Sequence, residues 1–98
     1  MAETYTHTTW RVKPGSEEEF VRRWKEWIEW SHLQGLGPRA RLLRDNEHPS
    51  TFVSFGPWMS PDAVKNWRAA AGYHERVARI QELLEGFEPR TLDVVAEG

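Results

Sequence analysis

Along 98 residues the hydrophobic period switches from two to 3.6 and back, and then does so again, and that succession leaves few folds open. Residues 5–13 alternate. Thr6, Thr8, Trp10 and Val12 share one face, and Tyr5, His7, Thr9 and Arg11 share the other. Their β-branched and aromatic side chains suit a strand, which Pro14-Gly15 breaks. Ser16 and Glu19 then have the spacing of a capping box, with Glu17, Glu18 and Glu19 at the positive end of the helix dipole. Phe20, Trp24, Trp27, Ile28 and Ser31 follow one side of this helix. On its wet side Glu18 faces Arg22 and Glu19 faces Arg23 as i,i+4 pairs. Gly35 and Gly37 stop it, with Pro38 beyond.

Residues 39–45 and 51–58 read as two strands, joined by the turn formers Asp45, Asn46, Pro49 and Ser50. Ser60 caps a second helix, with Pro61 at its first position and Asp62 next. Ala63, Val64 and Trp67 supply its buried side, and Gly72 interrupts it. A third helix over 73–85 carries Tyr73, Val77, Ile80 and Leu84 in one stripe, with Gly86 as its C′ residue. Pro89 precedes a last strand over 90–96. The order β-α-β-β-α-β predicts an α+β fold, the ferredoxin-like split βαβ with an antiparallel sheet. Neither repeat nor linker divides the chain, so 1–98 reads as one domain.

Composition narrows the function. A net charge of -2 and a pI near 6.1 argue against holding nucleic acid by bulk positive charge. The chain has no cysteine, and His7, His32, His48 and His74 form no H-x-x-x-H or H-x-E pair, so no metal site is expected. No apolar run reaches the roughly 18 residues of a membrane span. Met1-Ala2-Glu3-Thr4 has no basic start to a leader, so a cytoplasmic protein is expected. The basic run Arg39, Arg41, Arg44 reads as a solvated strand edge, and Ser54 and Ser60 lack the elbow of a nucleophilic serine. Six tryptophans suit a thick core, an aromatic-lined pocket or an interface. Leu42 and Leu43 point oppositely, as do Phe52 and Val53, so both sheet faces carry apolar groups. Helices cover only one of them. A homodimer packed sheet to sheet is therefore expected.

The runs Arg41-Leu42-Leu43-Arg44-Asp45, Thr51-Phe52-Val53-Ser54-Phe55 and Trp58-x-Ser60-x-x-Ala63-Val64-x-x-Trp67 resemble the antibiotic biosynthesis monooxygenase family. The resemblance implies a dimeric α+β barrel with a pocket between helices and sheet. It also implies oxidation of an aromatic, polyketide- or phenol-like small molecule by O2 with no cofactor. Trp67 and Tyr73 reproduce a tryptophan–tyrosine spacing of the polyketide-oxidising relatives, where they would hold the substrate and offer it an N–H and an O–H. His74 is a candidate base, and the substrate's own acidity is the alternative. Thr8, Trp10, Trp24 and Trp27 are candidates to line the pocket. Two positions depart from the family. Ala63 stands where the polyketide oxidisers have an asparagine, and Val77 where haem-degrading relatives have their histidine ligand. The relatives' catalytic arginine has Arg90 as its nearest candidate. A non-catalytic small-molecule-binding or regulatory module of the same fold is the alternative function, with haem binding or degradation third.

Overall fold

Strands β1 (Thr4–Val12) and β3 (Thr51–Trp58) form the centre of a four-stranded antiparallel sheet in a computed structural model that describes residues 3–98. The leaderless reading of Met1 and Ala2 lies outside the described residues. Strand β2 (Arg41–Arg44) flanks β3, and β4 (Leu84–Asp93) flanks β1, giving the order β2-β3-β1-β4. Helix α1 (Glu17–Leu33) connects β1 to β2, while α2 (Pro61–Ala69) and α3 (Tyr73–Gln81) connect β3 to β4. This is the α+β, ferredoxin-like arrangement that the sequence pattern predicts. Among the described residues no helix is long and apolar enough to cross a membrane.

The core lies between the helices and one face of the sheet. Register places Trp10 opposite Phe52 on β3 and Phe87 on β4, so three aromatic rings sit side by side. Phe20 of α1 closes on them, fully buried, 5.4 Å from the Trp10 ring and 4.9 Å from Phe52. Val12, Val77 and Ile80 complete this end.

Local chemistry departs from expectation at three places. Ser16 does not cap α1 with its side chain. Glu17 instead accepts from the Gly15 amide at 2.9 Å and from the Ser50 hydroxyl at 2.6 Å, so the helix start is tied to the β2–β3 turn. Glu19 takes both Arg22 and Arg23, leaving Glu18 without the expected partner. Helix α3 stops at Gln81 and β4 begins at Leu84, well before the strand expected over 90–96. Here pairing with β1 wins over helical periodicity. The Lys13 amide donates to the Leu83 carbonyl at 2.8 Å, and the Lys13 ammonium to that of Glu82 at 3.0 Å. Leu84 is thus a strand residue opposite Val12, Gly86 is no helix cap, and Pro89 lies inside the strand opposite Thr8.

Candidate functional site

At the other end of the core the aromatic packing leaves a gap. Trp58 closes the last inward position of β3, and its indole N–H donates to the Thr6 hydroxyl at 2.9 Å. Ser60 accepts from the Ala63 amide at 3.2 Å and starts α2, with Pro61 in the first turn as predicted. That helix delivers Trp67 onto Trp58, with ring centroids 4.8 Å apart. Gly72, at φ 92°, takes a left-handed turn that an L side chain resists, and the chain re-enters as α3. The turn sets Tyr73 edge-on to Trp67 at 5.0 Å and 82°. Trp27 of α1 meets both rings at 5.2 Å.

Between these rings and the sheet lies a cavity of about 30 Å³. Thr8, Trp10, Trp24, Trp27, Trp67 and Tyr73, all singled out from the sequence, line it. About 10–15 Å³ admits one water, so the space as it stands holds about two. Gly56, opposite Thr6, keeps the floor low: a Cβ there would fall 2.7 Å from a methyl of Leu36. His74 does not join them. It is exposed, beside Tyr73 but outside the cavity, with its ring 5.4 Å from the phenol ring. Arg90 sits on the opposite face of the sheet, in register with His7. Val77 is buried in the core, and no histidine lines the cavity, so its walls offer haem iron no imidazole ligand.

The polar groups are unevenly held. Trp10 donates to Ser54 at 2.9 Å, and Trp67 donates to Ser31 at 3.0 Å. Ser31 in turn donates to the Trp27 carbonyl at 2.8 Å. The Trp67 N–H, expected to reach a substrate, is held here by Ser31 of α1. Trp24 and Trp27 make no such bond, and of the two Trp24 is the one whose N–H is enclosed. Its Nε1 is buried and has no hydrogen-bond partner. A buried donor left unpaired costs about 1–3 kcal/mol, and such a group marks a place where water or a ligand completes the structure. Trp24 also borders a shallow depression of about 370 Å³ between α1 and β2, lined by Val21, Leu42 and Phe52. Burial pushes the Tyr73 phenol above its ordinary value, while the Arg68 guanidinium beside it pulls the other way. The phenol stays a neutral donor at physiological pH.

Sequence reasoning missed Arg68, Ser54 and the β4 residues Phe87 and Pro89 as cavity-lining groups. Ser54 has the parity of Phe52 on β3, and Thr6 that of Thr8, so alternation alone points to both. Phe87 and Pro89 were hidden by the misplaced start of β4. Among the described residues no three His, Asp or Glu side chains cluster closely enough to hold a metal.

The sequence pattern that defines the antibiotic biosynthesis monooxygenase family matches residues 5–79. No curated protein sequence matches the chain. Among solved structures, SnoaB, a cofactor-independent oxygenase from Streptomyces nogalater, superposes with a TM-score of 0.88 at 19% identity, over 99% of this chain and 97% of its own. A conserved protein from Methanosarcina mazei Go1 gives 0.81 at 18% identity, over 94% and 92%. At these identities the likeness establishes the fold.

Proposed function

The chain belongs to the antibiotic biosynthesis monooxygenase family, and from that membership we propose that it is a cofactor-independent monooxygenase acting on an aromatic, phenol- or polyketide-like small molecule. The observation that carries this is the indole-walled cavity, bordered by the Tyr73 phenol and by Trp24, whose buried N–H has no partner. An oxygen-bearing aromatic satisfies both. Its ring packs against Trp67 and Trp27, and its oxygen receives Tyr73 O–H or Trp24 N–H. With an anthrone-type substrate the activated methylene becomes a carbonyl. One oxygen atom enters the product and the other leaves as water, so the substrate supplies every electron and no reductant is needed. An ionised, electron-rich substrate is what reduces O2. With His74 outside the cavity, the substrate's own acidity supplies that form.

The cavity as it stands is smaller than an aromatic ring. Trp24 separates it from the larger depression beside β2 and is not anchored by a hydrogen bond, so this indole is the wall that yields to admit a ring. Oxygen consumption with anthrone-type substrates tests the proposal. Enzyme-dependent uptake that falls at least tenfold in Tyr73→Phe and Trp67→Ala supports it. Uptake unchanged by either variant refutes the assignment of this cavity.

The absence of any carboxylate or imidazole from the cavity wall favours a second reading, a binding module of the same fold that holds the aromatic without turnover. Ligand binding with no oxygen uptake separates the two. In either case we propose that a second copy covers the free face of the sheet. There Tyr5 meets Phe55 at 6.4 Å, and Leu43 and Leu92 stand 48% and 44% exposed. Sedimentation showing a monomer at micromolar concentration contradicts this.

A further inference from the structure

Among the described residues, Arg68 is the only charged side chain lining the cavity. It is half-buried at the end of α2, with its guanidinium carbon 6.0 Å from the centre of the Trp67 ring and its charge felt by the Tyr73 phenol. The salt bridges of the described residues employ Arg11, Arg22, Arg23, His48 and Arg90, and none of them reaches Arg68. The cation therefore borders an apolar, indole-walled space, hydrogen-bonded to the Tyr73 phenol and with no carboxylate partner among the described residues. Partly out of water, a charge interacts more strongly than it would in bulk solvent. Tyr73 O–H borders the same cavity, and Trp24, one of its walls, carries an N–H without a partner; both groups favour an acceptor oxygen over a donor group. No group in the wall accepts a proton at neutral pH, so a ligand is not ionised there; it enters ionised.

We propose that the cavity takes its ligand as an oxyanion, a phenolate or an enolate, and that Arg68 is the residue that selects this form. The inference rests on the reading of the cavity as a ligand site. It assigns the chemical class of the ligand and a specificity residue absent from the sequence expectation. Arg68 acts by holding charge on the ligand oxygen, and Trp24 and Tyr73 add hydrogen bonds to the same atom. An acidic phenol or a β-dicarbonyl is favoured; a phenol ether or an aromatic hydrocarbon enters the same space but binds more weakly.

The test uses 4-nitrophenol, whose phenolate absorbs visibly and forms near neutral pH, with 4-nitroanisole as its neutral analogue. Binding of each to the full chain is followed by tryptophan fluorescence, and titration of the bound phenol by its absorbance. The phenolate is expected to bind at least about tenfold tighter than the anisole, as a hydrogen bond to a charged group implies. The bound phenol then ionises at a pH lower by about one unit. Arg68→Gln abolishes that shift and leaves 4-nitroanisole binding in place, which also shows that the variant is folded. Arg68→Lys keeps part of the shift. Equal binding of the two probes, or a shift that survives Arg68→Gln, overturns the oxyanion assignment while the cavity stands as a ligand site. Binding of neither probe overturns both.

Discussion

The tryptophans around the cavity differ in how they are held. Trp10, Trp58 and Trp67 each donate to a hydroxyl at 2.9–3.0 Å, from Ser54, Thr6 and Ser31. Trp24 is buried to a similar degree and donates to nothing. An anchored indole is fixed both by packing and by its N–H; an unanchored one is fixed by packing alone. The sheet side of the cavity and α2 are therefore a rigid template, and the Trp24 side of α1 is where adaptation and ligand contact belong.

The largest effect that sharpens this contrast is expected at Trp67. Trp67→Ala removes a ring packed against Trp27, Trp58 and Tyr73, and costs about 3–5 kcal/mol in urea unfolding. A loss below about 1 kcal/mol would mean that the template is soft. Ser31→Ala comes next. It leaves the Trp67 N–H buried and unpaired, as Trp24 now is, and costs about 1–3 kcal/mol. Trp10→Phe and Trp24→Phe delete the same atoms, but only the first breaks a hydrogen bond. Trp10→Phe is therefore expected to be the more costly by about 1 kcal/mol, and equal costs would erase the distinction between the two walls.

A pH effect follows in size. The folded Tyr73 phenol ionises above its ordinary value of 10.0 because burial disfavours the phenolate. Between that value and the folded one, the folded chain holds a proton that the unfolded chain has released. Stability is thus full below pH 10 and falls as pH rises through the window. Tyr73→Phe removes this part of the alkaline loss, read as the difference between the two proteins' urea midpoints against pH. An identical alkaline slope in the two proteins would place the phenol in water rather than in the cavity.

The smallest effect lies at the far end of α1 and serves as a control. The Ser50 hydroxyl, ahead of the backbone donors, holds Glu17 below the usual carboxylate range. Its contribution is present above the ordinary carboxylate value and fades as pH falls through the folded one. Ser50→Ala moves the Glu17 titration, followed by NMR, back up and leaves the cavity's ligand binding unchanged. A change in that binding would show that the two ends of the core are not independent.

Much of the fold was legible because alternation and helical spacing report burial, and burial decides the layers. Trp10, Phe20, Trp24, Trp27 and Trp67 all face the core as their spacing requires. The start of β4 was not legible. Val77, Ile80 and Leu84 keep a helical stripe past the point where the Lys13 amide captures the Leu83 carbonyl, and a contact over that sequence distance leaves no local trace. The capping box failed because Glu19 is taken by Arg22 and Arg23, while the Ser16 amide donates to the Lys13 carbonyl. At the site, residue types predicted the aromatic wall but not the partners of its polar tips. Nothing in the spacing says that Ser31 claims the Trp67 N–H, or that Arg68 turns to the cavity while His74 faces solvent.

The central claim, that Trp24 carries the donor left open for a ligand, has a direct test in the indole region of a ¹H–¹⁵N correlation spectrum. Trp24→Phe identifies the Trp24 resonance by its loss. On titration with 4-nitrophenol that resonance is expected to move downfield, as an N–H does when it gains an acceptor, while those of Trp10, Trp58 and Trp67 keep the positions set by their hydroxyl partners. A Trp24 resonance that stays in place while the ligand saturates the protein would contradict the claim.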